Sequence, residues 1–338
     1  MKVYNFPRGG IYFTDPYAPA RSNSVLSFLP GISIIPLRGY SGICSLPVVS
    51  EGSYVEEGQL IARSQGGGSA NIYSPVPGKI IQSLNWSLGG QLYCDALVIR
   101  LEGKFEELGR KKLPCDWENL SQFELRKIIY KMGIISMHGG GRPVCEIFSE
   151  YDAVQKPFDL VIKCIFDDPW LAAEYAVCKE RPAAVAVGSV ITARASGALS
   201  IVVAASKNDV ELGRNLLSEI EKTGFPASMA VVGTKYPQSS KREMETAFNV
   251  HGKTERRLHN SLMLFCPATL AAVNDAVVLG RPILDRFVAV GGSALKKTRI
   301  LKVRIGTRVE DVFKECGGFA KKPGLFVVGT PVLGKIVE

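Results

Sequence analysis

The sequence predicts a multidomain α/β protein with an all-β N-terminal part, a central part of alternating strands and helices, and a β-rich C-terminal part. Three observations carry this. Short apolar runs separated by Gly and Pro recur at close intervals through 29–103. Buried-strand runs and amphipathic stretches alternate from 131 to 290, which favours a mainly parallel sheet with helices on both faces. Residues 286–338 then return to short strands around one helix. A chain of 338 residues also exceeds what one core usually fills. The expected divisions are 1–28 as an N-terminal arm, 29–103, 104–285 and 286–338.

Composition narrows the function. Hydrophobic residues make up 46% and charged residues 22%, the balance of a globular protein. The net charge is +9, but the basic clusters are small: Arg110–Lys111–Lys112, Arg256–Arg257, Lys296–Lys297 and Lys321–Lys322. None is interleaved with aromatics, so nucleic acid is not an expected partner. The most apolar stretch, 183–206, carries Arg194 and a Ser196–Gly197 break, so it reads as helix, turn and buried strand rather than a membrane span. No secretory signal is read before residue 20, and the eight cysteines never come closer than 14 residues. That spacing suits reduced cytosolic thiols and lacks the tight spacing of a metal or cluster loop. The histidines, His138, His251 and His259, suggest no metal site, and no Ser–His–Asp or Cys–His arrangement is legible.

The arm is rich in Gly, Pro and Ser. In the all-β part the runs are ISIIPL, SLPVV, QLIA, GKIIQSL and ALVIRLEG, with Gly52 and Gly58 at tight turns and Pro75 and Gly78 reversing the chain. A charged connector from 104 leads to a helix opened by Ser121 and Glu124, a capping-box pair. FDLVIKCIF (158–166) is a strand. Asp168 before Pro169 is a helix N-cap followed by Pro at the first helical position. Then come a helix near 183–194, strand LSIVVAAS, a helix from Asp209 closed by Gly224, strand SMAVVGT, loop KYPQSS, helix KREMETAFN, strand SLMLFCP and helix ATLAAVNDAVVLG.

Within the all-β part, VVSEGSYVEEGQLIARSQGGGSANIYSPVPGKI resembles the lipoyl or biotinyl carrier domain, a barrel-sandwich hybrid. Carriers place an acceptor Lys at the hairpin tip. Here the tip is QGGGSANIY, and Lys79 comes only after the turn, so the fold is expected without the carrier function. Along nearly the whole chain stand, in order, GGIYFTDPYAPARSNS, PLRGYSGICSLPVVSEGSYVEEGQLIA, SPVPGKI, VVGTKYPQSSKREME, ATLAAVNDAVVLGRPILDRFVAVGG, IGTRVEDVFKECGG and FVVGTPVLG. This order of motifs is similar to RnfC, the C subunit of Rnf-type electron-transport complexes. RnfC in turn resembles the flavin-binding, NADH-oxidising subunit of respiratory complex I. The resemblance implies a Rossmann-like three-layer central domain over 104–285 and an SLBB-type β-grasp domain over 286–338.

It also implies cofactors. A glycine loop receives the flavin phosphate in those relatives, and Gly139, Gly140 and Gly141 stand at the matching place. Asp168 keeps the acid before Pro of the second family stretch, N-G-A-E-x-E-P, and Thr269 keeps the last position of the third, N-V-G-T. Lys235, after a strand of the parallel sheet, is the cationic candidate for a phosphate. The pattern departs elsewhere: Lys163, Phe166 and Cys266 replace Asn, Glu and Asn. FMN and NADH binding are therefore expected to be degraded. The two [4Fe-4S] clusters of the family need C-x₂-C-x₂-C-x₃-C-P, which this chain does not contain.

The expected role is a peripheral subunit on the cytoplasmic face of an inner membrane, in a complex coupling electron transfer to ion translocation and not catalytic alone. Its expected partners are the other Rnf subunits, with ferredoxin or NADH as a soluble donor. Two alternatives stand beside it. One is a working FMN-dependent NADH dehydrogenase module. The other is a cluster-free, quinone-side subunit like the alpha subunit of the sodium-pumping NADH:quinone reductase, to which FDDPWLAAE is similar.

Overall fold

The computed structural model describes residues 2–22, 25–89, 92–103, 115–138, 140–251 and 261–337. The start of the charged connector, Arg110–Lys112, Gly139, Arg256–Arg257 and His259 lie outside the described residues. In chain order the strands begin with β1 (Val3–Tyr4), β2 (Val25–Ser27), β3 (Ile32–Pro36), β4 (Leu46–Pro47), β5 (Tyr54–Val55), β6 (Leu60–Arg63), β7 (Ile72–Tyr73), β8 (Gly78–Ser87) and β9 (Tyr93–Leu101). Next come α1 (Gln122–Lys131), α2 (Val144–Val154), β10 (Phe158–Cys164), α3 (Ala172–Glu180), α4 (Pro182–Ser196), β11 (Ile201–Ser206), α5 (Val210–Glu221), β12 (Ala227–Val232), α6 (Lys241–His251), β13 (Ser261–Phe265) and α7 (Pro267–Val278). The chain closes with β14 (Asp285–Val290), β15 (Arg299–Arg304), α8 (Val309–Glu315), β16 (Phe326–Val328) and β17 (Lys335–Val337). Two compact units result: Met1–Asp15 with Pro114–Gly280, and Pro16–Leu113 with Arg281–Glu338.

In the second unit, β3-β9-β8-β5 and β4-β6-β7 form the two sheets of a barrel-sandwich hybrid. Ile35, Leu37, Val55, Ile61, Ile80, Leu97 and Ile99 fill it, the alternate positions of half-buried strands. Gly52 (φ 84°) and Gly58 (φ 76°) sit at the expected turns. Gly78 is required for space, since a Cβ there would lie 2.1 Å from the Arg100 carbonyl oxygen. The same unit contains the sheet β14-β15-β2, with β2 parallel to β15 and β14 antiparallel to it. Leu301, Val303, Val290 and Cys316 are buried behind it.

The first unit is built on one parallel sheet, β1-β12-β11-β10-β13. Residues 3–4 of the expected arm are its edge strand. One sheet face carries Val161, Val202, Ala204, Val232 and Leu262 against Met244 and Phe248 of α6. On α4 most residues are buried all round, and it crosses α7 so closely that a Cβ on Gly188 would lie 1.8 Å from the Leu270 carbonyl oxygen. Arg194 is tolerated in this apolar helix because its guanidinium donates to the carbonyls of Glu118 and Leu120, both at 2.8 Å. Ser121 and Glu124 form the complete capping box at α1. Asp168 is an N-cap followed by Pro169, as expected, but the element it caps is a single 3-10 turn, Pro169–Leu171, and α3 begins only at Ala172.

Candidate functional site

Strand order points to one edge of the parallel sheet. From β10 the chain steps outward to β11 and β12, then crosses over to place β13 on the other side of β10. The reversal lies between β10 and β13, and open α/β sheets bind ligands beyond the carboxyl ends of strands at such a point. Lys163 is the penultimate residue of β10, and Cys266 follows β13.

The glycine loop comes to this place. Its base is closed by backbone hydrogen bonds, Ser136 N to the Arg142 carbonyl at 2.7 Å and Val144 N to the Ile134 carbonyl at 3.0 Å. Gly140 and Gly141 have φ of 94° and 81°, a region side chains disfavour. Space is not the constraint at Gly141, because a Cβ there would meet only Ile135 Cδ1 at 3.5 Å. Thr269, in the first turn of α7, accepts a hydrogen bond from Met137 N at 2.9 Å, which ties the loop to that helix. Thr269 Oγ1 also lies 3.1 Å from Cys266 Sγ. Of the residues singled out by sequence, Thr269 and the described part of the loop are brought together directly.

The N-terminus of α7 is already engaged. Glu174 of α3 accepts from Ala268 N through Oε2 at 3.0 Å. A helix N-terminus attracts anions through its free amides and dipole, and here a carboxylate of the chain itself takes that role. Burial pushes the Cys266 thiol up to about 12, with Glu174 adding to the effect. Burial lowers the Lys163 ammonium, opposed by Cys266, Glu174 and Asp167. Lys163 and Glu174 are thus opposite charges at one partly dehydrated point.

A second polar group lies beyond β10 and β12. Asp168 Oδ1 accepts from Trp170 N at 2.9 Å, and Trp170 Nε1 donates to Asp15 Oδ2 at 2.9 Å. The neighbouring Asp167 accepts from Ser239 N at 2.9 Å, which joins the DDP segment to the loop after β12. Burial raises the Asp167 carboxyl, against the Ser239 bonds and Lys163. Its Oδ1 is buried without a hydrogen-bond partner among the described residues, as are both amide atoms of the fully buried Gln238. The loop is pinned to the arm by the backbone pair Ile11–Tyr236, and Lys235 Nζ lies 5.7 Å from the centre of the Tyr12 ring. Lys235 therefore stacks on the arm and makes no hydrogen bond or ion pair with the described residues of the glycine loop.

Sequence reasoning missed Glu174, Asp167, Gln238 and Ser239. For Asp167 and Ser239 a weak signal existed, the doubled acid before Pro and the polar loop after a strand. Glu174 reads locally as one more helix residue, since its partner is 94 positions away. Among the described residues no group of His, Cys, Asp or Glu is placed to hold a metal ion, and no helix is long and apolar enough to cross a membrane.

Comparison with known proteins agrees with the order of motifs. Residues 6–104 match the family model of the RnfC barrel sandwich hybrid domain. Over 336 residues the chain is 29% identical to the C subunit of the proton-translocating ferredoxin:NAD(+) oxidoreductase complex of Clostridium ljungdahlii, covering 97% of this chain and 72% of that protein. It is 27% identical to the C subunit of the ion-translocating oxidoreductase complex of Rhodobacter capsulatus, covering 98% of this chain and 64% of that protein. It is 23% identical to the C subunit of the Na(+)-translocating ferredoxin:NAD(+) oxidoreductase complex of Acetobacterium woodii, covering 97% and 74%. Among solved structures, the NAD+-reducing [NiFe]-hydrogenase in its H2-reduced state superposes with a TM-score of 0.57 over 70% of this chain and 46% of that one. At 14% identity that likeness speaks for the fold alone.

Proposed function

We propose, from a chain whose likeness to RnfC-type subunits runs along nearly its full length, that it serves as the C-type subunit of a membrane-bound, ion-translocating oxidoreductase complex. The observation that carries this is the 97–98% coverage of this chain by relatives that are each the C subunit of such a complex. In this reading, residues 286–338 form the SLBB-type β-grasp domain, and the chain docks on partner subunits at the cytoplasmic face of the membrane.

The flavin site is read as degenerate. Flavin would supply hydride acceptance and one-electron release if it were bound. The donor set does not match that group. The α7 amide that would face an anion is taken by Glu174, and the Thr269 hydroxyl is taken by Met137 N. Lys163, Phe166 and Cys266 stand where the family pattern has amide and acid partners. Phe166 is buried in edge contact with Tyr175, ring centroids 5.4 Å apart, so it fills space with hydrocarbon. In this reading the site carries no step through flavin, and the chain acts in the complex as a scaffold. The orphaned atoms of Asp167 and Gln238 favour a second reading, in which a polar ligand still enters and the chain is a working NADH dehydrogenase module.

Two measurements test this. An affinity-tagged chain expressed with the membrane subunits of its complex should bring them down together. Recovery of the tagged chain alone would overturn the subunit reading. Isothermal titration with FMN should give a dissociation constant above about 1 μM. Tighter binding, with reduction by NADH, would establish the dehydrogenase reading instead.

A further inference from the structure

We propose that the C-terminal hairpin β16–β17 is a membrane-contact element that meets an anionic lipid surface directly. This goes beyond the subunit reading, in which partner proteins alone hold the chain at a membrane.

The hairpin is an isolated two-stranded sheet, which is marginal in water without support. Support comes from Phe326 and from Val337, which lies against Gly89, where a Cβ would be 2.9 Å from Val337 Cγ1. Phe326 stacks on Phe313 of α8 at 5.2 Å between ring centroids, with Phe319 at 6.0 Å. The rest of the hairpin turns apolar side chains to solvent. Val327 and Ile336 are cross-strand partners and both are exposed. Leu325 is 59% exposed, Ile336 64%, and Leu333 in the connecting turn 75%. Val328 and Val332 are exposed as well.

Charge names the occupant. After Cys316 the lysines Lys321, Lys322 and Lys335, all exposed, stand against one acid in the sequence, Glu338. The segment 281–338 contains twelve Lys and Arg against five Asp and Glu, a surplus of seven out of the chain's nine. An exposed apolar hairpin with lysines just before it and at the start of β17 matches a lipid surface whose headgroups are anionic and whose acyl boundary lies just beneath. An acidic protein could neutralise the lysines, but it would also need a shaped apolar socket for Leu333 and Ile336. A bilayer supplies both without shape.

The test uses the whole chain alone with pure lipid, so it is independent of the subunit reading. The chain should co-sediment with phosphatidylcholine vesicles containing phosphatidylglycerol and not with phosphatidylcholine alone. The double variant Leu333→Ser, Ile336→Thr should bind at least about tenfold more weakly. The triple variant Lys321→Gln, Lys322→Gln, Lys335→Gln should lose on the order of 100-fold. All these positions are exposed, so circular dichroism should match the parent. Indifference to phosphatidylglycerol would overturn the proposal and leave the hairpin as a protein-docking surface. Binding that both variants retain would overturn it too, by moving the contact elsewhere on the basic surface.

Discussion

The carboxylate of Glu174 accepts a hydrogen bond from Ala268 N at 3.0 Å, so a side chain of α3 closes the N-terminus of α7. Replacing Glu174 with Ala should cost about 1–2 kcal/mol, the usual loss for a removed cap, read as a lower urea midpoint at unchanged slope. The same variant should bind FMN more tightly than the parent in titration, because the carboxylate that repels a phosphate is gone. Equal or weaker FMN binding would show that Glu174 is only a cap.

Gly188 and Gly52 are glycines for different reasons, and substitution should separate them. A Cβ on Gly188 would press on the Leu270 backbone, so Gly188→Ala must part α4 from α7. It should cost about 3 kcal/mol or more, at the upper end for overpacking. At Gly52 nothing lies within 4 Å and only the φ of 84° resists. Gly52→Ala should cost about 1–2 kcal/mol. Denaturant midpoints measured side by side check the order.

Asp167 and Asp285 should respond to acid in opposite directions. The Asp167 carboxyl is raised by burial, so its protonated form fits the fold better. As pH falls from neutrality toward the ordinary aspartate value of about 3.9, this residue adds stability. Asp167→Asn should raise the neutral-pH urea midpoint and flatten that part of the profile. For Asp285, burial pushes the carboxyl up, but Arg281, Lys302 and Arg304 together outweigh it and leave it lowered. Its stability is present above about 3.9 and is lost as pH falls through the lower folded value, so Asp285→Asn should weaken the fold at neutral pH.

Ser121→Ala should cost about 1 kcal/mol by opening the capping box of α1. Thermal denaturation checks it, and Glu124→Ala should give a smaller loss because the Ser121 hydroxyl still accepts from the N3 amide.

The capping box was legible because its two partners lie three residues apart. The barrel was legible for a similar reason, since period-two burial and glycine turns are local properties. The parallel sheet followed from alternation of strand and helix. What escaped were pairings between distant positions. Val3 and Tyr4 are too few to show a period, yet they complete the sheet beside Val231 and Val232. Lys235 looked like a free cation after a strand, but the arm brings Tyr12 under it. Asp168 carried the local signal of a helix start, and the chain used it for one 3-10 turn before the helix proper.

The N-terminal segment supplies one strand to each unit, β1 beside β12 and β2 beside β15. This has a consequence for how the protein is made. A ribosome delivers Val25 long before Ile300, so β2 must wait for its neighbour through all the synthesis that lies between them. The parallel sheet needs its opening residues held available until β12 emerges, and loop closure over such spans is slow. Neither sheet is complete until these distant partners emerge, and until then a nascent chain exposes unpaired strand edges, the state in which chaperones act. Removing the first 27 residues would damage the edge of the parallel sheet and the edge of the C-terminal sheet in a single cut.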